Sequence, residues 1–304
     1  MYTTLSNLVK AIVFYLLAFS LEVIAAVALA PLIGELAPLA GMFTPTIAVL
    51  LMLLVVTREG YTREGWASLG LHRAGLRAWG AALLLPLLVL AGAYGVLWAS
   101  GVASATLPAR LSGAALIQLV FKTLIMIAIG VFSGTLGEEL GWRGYLLPKL
   151  LFLGPRRALL LSGLLHGIWH LPMILLTPYY HVEANPVIFL PLFLASLTLA
   201  GVFYGWLRLT SGSVWPAAIA HRAINQFWAG FAAITVTTSP LLVEYLAGEA
   251  GLLTLIGIAI MAAVLLVRLG ASSRRPLRPH SIVRWFTYLH ACTSDCLKKF
   301  WTIH

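Results

Sequence analysis

Residues 114–143 read AALIQLVFKTLIMIAIGVFSGTLGEELGWR. This stretch joins an apolar run, 114–136, to Glu138 and Glu139, two of only ten acidic residues in the chain. An apolar run of about 20 residues is long enough to cross the hydrocarbon core of a bilayer as a helix. Carboxylates at the edge of such a helix are costly to desolvate, so they usually have a partner or a function.

Arg143 offers a partner to one of the two glutamates. Glu139 and Arg143 are spaced i,i+4 and share a helix face, so they can pair. Glu138 points about 100° away from that face and has no local cation. On this stretch alone, two simple interfacial charges explain the glutamates equally well, and the choice depends on polar residues elsewhere in the chain.

The composition places the chain in a membrane. It is 61% hydrophobic and 10% charged, with a mean hydropathy of +0.95, whereas soluble domains carry roughly 25% charged residues. We therefore expect an all-α, polytopic transmembrane helical bundle. The net charge of +10 does not indicate nucleic acid, because most Lys and Arg lie in short loops and the tail. A lipid bilayer with anionic headgroups is the simpler partner.

Eight apolar segments of about membrane-spanning length predict eight spans. Glu22 interrupts the first segment and Pro45 the second. We expect one transmembrane domain over 1–272, followed by a basic amphipathic cytosolic tail, 273–304. The predicted spans are 9–32, 37–57, 79–100, 114–137, 157–176, 186–207, 213–236 and 250–268.

The distribution of Lys and Arg predicts the orientation. With a cytosolic N-terminus, the alternate loops on the other side hold only Arg110, and all other loop Lys and Arg fall on the cytosolic side. The positive-inside rule then puts both termini in the cytosol. The Ala/Leu/Gly/Arg-rich composition is typical of a prokaryotic chain, which indicates a plasma membrane location.

The two cysteines, Cys292 and Cys296, lie in the tail and exclude a disulfide framework. Their spacing beside His290 is a weak metal signal. Thiols without a role are the simpler interpretation, and reversible acylation is a third.

Two later apolar segments carry polar pairs. His166 and His170 share a helix face, which suits a metal pair or a catalytic histidine with a structural neighbour. His221 and Asn225 also share a face and offer donors, either for a developing oxyanion or for ties between helices. In the predicted topology these pairs lie in the cytosolic half of the membrane. Glu138 and Glu139 reach them only if the end of their helix tilts or dips inward.

Together the three motifs resemble the signature of the CPBP family. This family groups CAAX prenyl endoproteases with Abi-type bacteriocin-immunity proteins. The first motif, Glu-Glu-x-x-x-Arg, is matched at 138–143, the second at His170 and the third at His221 and Asn225. Residues 66–71 match a Trp-x-x-Leu-Gly-Leu motif that many relatives carry. His166 stands where the second motif usually has an aromatic residue.

The resemblance implies an intramembrane endopeptidase that cleaves a membrane-associated protein or peptide. Glu138 and His170 would activate water, His221 and Asn225 would stabilise the oxyanion, and Glu139 with Arg143 would be structural. The alternative to a metal-free site is zinc held by Glu138, His170 and His221, or by a set of these residues that includes His166. We favour the metal-free site because the matched spans offer no further acid to orient the histidines. A non-proteolytic immunity or partner-binding factor is the alternative function. A small-solute transporter is a third, although no internal repeat supports it.

Overall fold

The computed structural model describes residues 5–106, 112–178 and 184–274, and these are almost entirely helical. Only two short strands pair, β1 (Ser104–Ala105) and β2 (Thr235–Val236), antiparallel with Ser104 opposite Val236. The α-helices are α1 (Asn7–Ile24), α2 (Ala30–Ile33), α3 (Ala37–Gly41), α4 (Thr44–Leu51), α5 (Arg63–Ser68), α6 (Trp79–Ala99), α7 (Gly113–Gly130), α8 (Leu136–Glu139), α9 (Leu147–Leu150), α10 (Pro155–Trp169), α11 (Leu171–Leu176), α12 (Pro186–Ser211), α13 (Trp215–Ala233), α14 (Pro240–Ala247) and α15 (Leu252–Arg274). Segments of π-helix lie at Ala25–Leu29, Met52–Val56, Val131–Thr135 and Leu140–Leu146, and 3-10 turns at Gly34–Leu36, Glu59–Tyr61, Leu76–Ala78 and Leu151–Leu153.

The long helices confirm the predicted all-α polytopic bundle. Within the described residues, six helical stretches are long and apolar enough to cross a membrane. Side-chain caps mark where several of the helices begin: Ser6 accepts from the Val9 amide, Ser112 from Ala115 and Asn185 from Val187, which satisfies backbone donors that a helix start leaves free. The six stretches are Asn7–Gly41, Leu76–Ala99, Gly113–Leu153, Pro155–Leu176, Pro186–Ser211 and Pro240–Leu269.

The two other predicted spans are helical but differ from this description. The segment predicted at 37–57 contains only a shorter apolar helix, Thr44–Val56, which begins just before Pro45. The segment predicted at 213–236 forms α13, which is long but carries four polar side chains on two successive turns. These four, which lower its mean hydropathy, are His221, Arg222, Asn225 and Gln226.

The helix around the two glutamates corrects one expectation. The apolar run predicted a span that ends at 137, with Glu138 and Glu139 at its edge. Instead the helical stretch continues from Gly113 to Leu153, and both carboxylates lie in its interior. Two π-helical segments, Val131–Thr135 and Leu140–Leu146, flank them. Such segments add a residue to a turn and are frequent at functional sites.

Close packing between α10 and α12 fixes the position of the histidine motif. A Cβ at Gly163 would lie 2.4 Å from the Thr198 carbonyl oxygen, and a Cβ at Gly201 would lie 2.4 Å from Gly163 Cα. Small residues at such a crossing let two membrane helices approach closely. His166 lies one turn after Gly163, so this contact sets its distance from the glutamates.

Contacts between loops divide the bundle into two faces. On one face, Glu59 accepts from Lys10 and lies 3.7 Å from the Lys149 ammonium. On the same side of the bundle, Trp215 Nε1 donates to the Leu71 carbonyl at 3.0 Å. On the opposite face, β1 pairs with β2, and the Asn185 amide donates to the Tyr245 hydroxyl at 2.7 Å. The faces alternate along the chain as the helices cross between them.

The chain divides into two compact units, Met1–Leu265 and Leu266–His304. The first contains all the helices from α1 to α14 and most of α15, and the second begins with the last turns of α15. The predicted tail, 273–304, lies almost wholly outside the described residues, as do Cys292, Cys296 and Arg110.

Candidate active site

Glu138 has a histidine partner that the sequence did not assign to it. Its Oε2 lies 2.7 Å from His166 Nε2 and 3.8 Å from His170 Nε2. Glu138 comes from α8, between the two π segments, and His166 from α10. Both side chains are buried. The structure therefore brings the unpaired carboxylate of the first motif against the histidine that stands in an aromatic position.

Arg143 determines which nitrogen of His166 carries the proton. Its Nη1 lies 3.1 Å from His166 Nδ1. A guanidinium can only donate, so Nδ1 must be the bare, accepting nitrogen, and the proton of a neutral imidazole is on Nε2. His166 then donates from Nε2 to Glu138 Oε2. Arg143 thus orients His166, and His166 in turn holds one oxygen of Glu138.

Glu139 joins the first motif to the third. It accepts from Arg143 Nη1 at 3.0 Å, the i,i+4 pair that the spacing predicts, and its Oε1 also lies 3.0 Å from His221 Nδ1. Glu139 and Arg143 are fully buried. The Tyr204 ring stacks on His221 with centroids 5.3 Å apart, and the Arg143 guanidinium lies 5.0 Å from the Tyr204 centroid. The imidazole of His221 is therefore held by a carboxylate and by a ring.

A cavity of about 130 Å³ opens onto these residues. Its lining includes Glu138, His170, His221 and Asn225, the four residues predicted to carry the chemistry. His166, Glu139 and Arg143 are not part of the lining and act from behind it. This division separates groups that a substrate can reach from groups that orient them.

Glu22 lines the same cavity and was missed by sequence reasoning. In the sequence it is a single acid that interrupts the first apolar segment. The buried residues of α1 recur at helical spacing and include Glu22 together with Ala11, Phe14 and Ala18. A carboxylate on the buried face of a spanning helix was the available signal.

Glu138 and the histidines lie close enough together to be considered as a metal site. Among the described residues, one group of three brings its ligand atoms within 4.8 Å of one another, and it consists of Glu138, His166 and His170. It differs from the set of Glu138, His170 and His221 by including His166, which the sequence left open as a ligand. A neutral imidazole has one bare nitrogen, and Arg143 occupies that of His166. While Arg143 makes this contact, His166 does not fit a zinc ion that needs its Nε2 lone pair.

A comparison with known protein families covers the segment that contains this site. Residues 118–227 match the family model described as type II CAAX prenyl endopeptidase, Rce1-like. No curated protein matches the chain. The matched segment contains all seven predicted site residues, and Glu22 lies outside it.

Proposed function

We propose that this chain is an intramembrane endopeptidase, because residues 118–227 match the family model of Rce1-like type II CAAX prenyl endopeptidases. Six long apolar helices make it an integral membrane protein. The substrate is then a protein or peptide associated with the membrane. One observation carries the proposed mechanism: Glu138 is held by His166 at 2.7 Å and lines a cavity with His170, His221 and Asn225.

Glu138 is the proposed general base. Its Oε2 accepts from His166, which leaves the other oxygen to accept a proton from water. His170, with its Nε2 3.8 Å from Glu138 Oε2, orients that water. The water oxygen attacks the carbonyl carbon of the scissile bond as its proton moves to Glu138, and Glu138 then gives the proton to the leaving amine. The same carboxyl thereby acts first as base and then as acid.

His221 and Asn225 are the proposed donors to the tetrahedral oxyanion. They are spaced i,i+4 on α13 and both line the cavity. An amide donates from its NH₂ group. A donor at His221 Nε2 requires the doubly protonated ring, in which Nδ1–H donates to Glu139 and Nε2–H to the oxyanion. Donors already in place need no reorganisation as charge develops, and one such donor contributes roughly 10²–10³ in rate.

The proposed site works without a metal ion. The contact of Arg143 with His166 Nδ1 supports this proposal, because it occupies the only bare nitrogen with which a neutral His166 could bind a metal ion. The water is activated by Glu138 alone. We further propose that the site opens toward the cytosol and that the membrane is a prokaryotic plasma membrane, because the Lys and Arg of the loops gather on one side of the predicted topology.

The test compares membranes from cells that produce the wild-type protein or Glu138→Gln. Quantitative proteomics of membrane-associated fragments, with their new termini, is the measurement. We expect at least one protein to accumulate uncleaved in Glu138→Gln cells and its fragment to appear only with the wild type. Identical fragment profiles, together with an unchanged cellular phenotype, would support a non-proteolytic immunity or partner-binding role instead.

A further inference from the structure

Glu22 is a buried carboxyl group in the cavity that the proposed reaction does not use. It lies near the end of α1, is 1% exposed, and lines the cavity beside Glu138, His170 and His221. It belongs to none of the three motifs. A carboxyl group in the interior of a membrane protein is costly to desolvate and marks a functional position by default.

The surrounding chain holds the Glu22 carboxyl group in one orientation. Thr44 Oγ1 donates to Glu22 Oε2 at 2.9 Å, and Trp169 Nε1 donates to Thr44 Oγ1 at 3.2 Å. Because the indole N–H occupies a lone pair of the hydroxyl oxygen, the hydroxyl proton is directed to Glu22. Trp169 is the neighbour of His170 in the chain and lines the same cavity. Glu22 is thus tied to the histidine motif by a chain of two hydrogen bonds.

Gly41 leaves the space that the carboxyl group occupies. A Cβ at this position would lie 2.8 Å from Glu22 Oε1 and 3.1 Å from Oε2. The backbone of Gly41 is in α3 and needs no positive φ. The absence of a side chain is therefore explained by the carboxyl group and not by a turn.

One oxygen of Glu22 has no donor within the described residues. Oε2 accepts from Thr44, but no described group donates to Oε1, and Glu22 forms no ion pair in that part of the chain. Its two neighbours in the site differ in this respect, because Glu138 contacts His166 and Glu139 pairs with Arg143. The lining of the cavity contains no Lys or Arg. Glu22 Oε1 is therefore an available hydrogen-bond acceptor in a cavity that a substrate can enter.

We propose that Glu22 binds an ammonium group of the peptide substrate, either of a lysine side chain or of a free N-terminus. This inference rests on the proposed function, because the peptide must enter the same cavity to be cleaved. Apolar side chains of the lining suit the methylene chain of a lysine, whose charged end would reach the carboxylate. A charge-assisted hydrogen bond in a desolvated site is stronger than a neutral one. The apolar lining residues are Pro38, Met42, Met173 and Leu197.

Peptide capture by the full-length protein tests the proposal. The protein carries Glu138→Gln so that peptides are not consumed, and it is held in vesicles of phosphatidylcholine. The probe is a synthetic library of decapeptides without arginine in three forms: free, acetylated at the N-terminus only, and acetylated at the N-terminus and all lysines. Bound peptides are quantified by mass spectrometry. We expect the free library to be enriched about tenfold or more over the fully acetylated one, the size of one charge-assisted bond.

The library acetylated only at the N-terminus distinguishes a lysine ammonium group from the N-terminal ammonium group of the peptide. Enrichment that survives this modification identifies a lysine side chain, and enrichment that is lost identifies the terminal ammonium. Two further variants must reduce the enrichment: Glu22→Gln, which keeps the shape but removes the charge, and Gly41→Ala, which places a methyl group against Oε1. Gly92→Ala is the matched control, because a Cβ there meets nothing within 4 Å.

Equal capture of all three library forms would overturn the inference, as would enrichment that Glu22→Gln and Gly41→Ala leave intact. A protein that captures no peptide at all would overturn it too. Failure of the proposed function looks different: the protein without Glu138→Gln would then bind ammonium peptides selectively but cleave none of them.

Discussion

Glu138 and Glu139 are adjacent in the chain but have different partners, so their substitution is expected to have different effects. Glu138→Gln keeps an acceptor for His166 and removes the base, so we expect activity to fall by about 10²–10⁴ with little change in melting temperature. Activity is measured on a substrate identified by proteomics and stability by thermal unfolding in detergent.

Glu139→Gln is the matched comparison. It leaves the buried Arg143 guanidinium without its carboxylate, so we expect a loss of stability of about 1–3 kcal/mol. Equal stability losses in the two variants, with equal residual activity, would show that the roles assigned to the two glutamates are wrong.

His166 decides between a metal site and a metal-free site. We expect the purified protein to carry well under one zinc ion per chain. His166→Phe restores the aromatic residue usual in related sequences and removes one hydrogen bond to Glu138. It is therefore expected to retain activity, reduced roughly tenfold by the loss of that bond. Elemental analysis and activity of the same preparation check this. Stoichiometric zinc that disappears together with activity in His166→Phe would reverse the conclusion.

Individual residues differ in how far the sequence could predict their contacts. The spacing of Glu139 and Arg143 was sufficient because both lie on one helix. The contact between Glu138 and His166 depends on how α8 and α10 pack, which no local pattern reports. Glu22 was harder still, since its partner Thr44 and the space at Gly41 come from other helices.

Among the helices, the crossing of α10 and α12 is the most sensitive to a small change. Gly163→Ala would put a methyl group 2.4 Å from the Thr198 carbonyl oxygen, and overpacking of this kind costs about 1–3 kcal/mol. We expect a lower melting temperature and lower activity, because α10 carries His166. Gly95→Ala, where a Cβ meets nothing within 4 Å, is the control and should change neither. A Gly163→Ala protein as stable and active as this control would contradict the packing argument.

The loop before α5 is held to the bundle by an ion pair whose strength depends on pH. Burial alone would raise the pKa of Glu59, but the hydrogen bond from Lys10 and the charge of Lys149 outweigh it, and the pKa lies below its usual value. A carboxylate with a depressed folded pKa adds stability above its unfolded pKa, near 4.3, and loses it as the pH falls through the folded value.

The expected effect of this ion pair is small, under about 1 kcal/mol, because the Glu59 side chain is 30% exposed. We expect the wild type to melt slightly higher than Glu59→Gln at pH 7, and the difference to shrink as the pH falls from the unfolded pKa of Glu59 through its lower folded pKa. Thermal unfolding of both proteins across that range is the measurement. A difference that persists unchanged at the acid end would show that the charge of Glu59 is not its source.

The helices show where hydrophobic patterning fails as a guide. The apolar run ends at Leu136, and a pattern based on hydropathy has no reason to continue the helix through Glu138, Glu139 and Arg143. The helix continues because Glu139 pairs with Arg143 and Glu138 accepts a hydrogen bond from His166 inside the bundle, which offsets the cost of desolvating these groups. The π-helical segments could not be predicted from the hydropathy pattern either, because they depend on side-chain packing between helices.

In the complete bundle, side-chain contacts show which loops share a face, and the distribution of Lys and Arg indicates which face is cytosolic. Contacts fix which loops share a face: Lys10, Glu59 and Lys149 meet on one, and β1 with β2 on the other. Within the described residues they are compatible with eight crossings, of which six are long apolar helices. They do not say which face is cytosolic. That assignment depends on the Lys and Arg of the loops, which favour the face of Lys10 and Lys149.

Reporter fusions test this orientation directly. We expect a reporter at Arg156 to read cytosolic and reporters at Glu183 and Glu249 to read external, because the loops near 177–186 and 236–249 contain no Lys or Arg. The fusions test the orientation of the chain and do not by themselves locate the mouth of the cavity. His221 lies near the start of α13, whereas His170 follows the end of α10, and Glu249 also lines the cavity. Fusion at Lys10 is the control for the shared face and should agree with Arg156. An external reading at Arg156 would invert the topology and transfer the proposed substrate entry to the opposite side of the membrane.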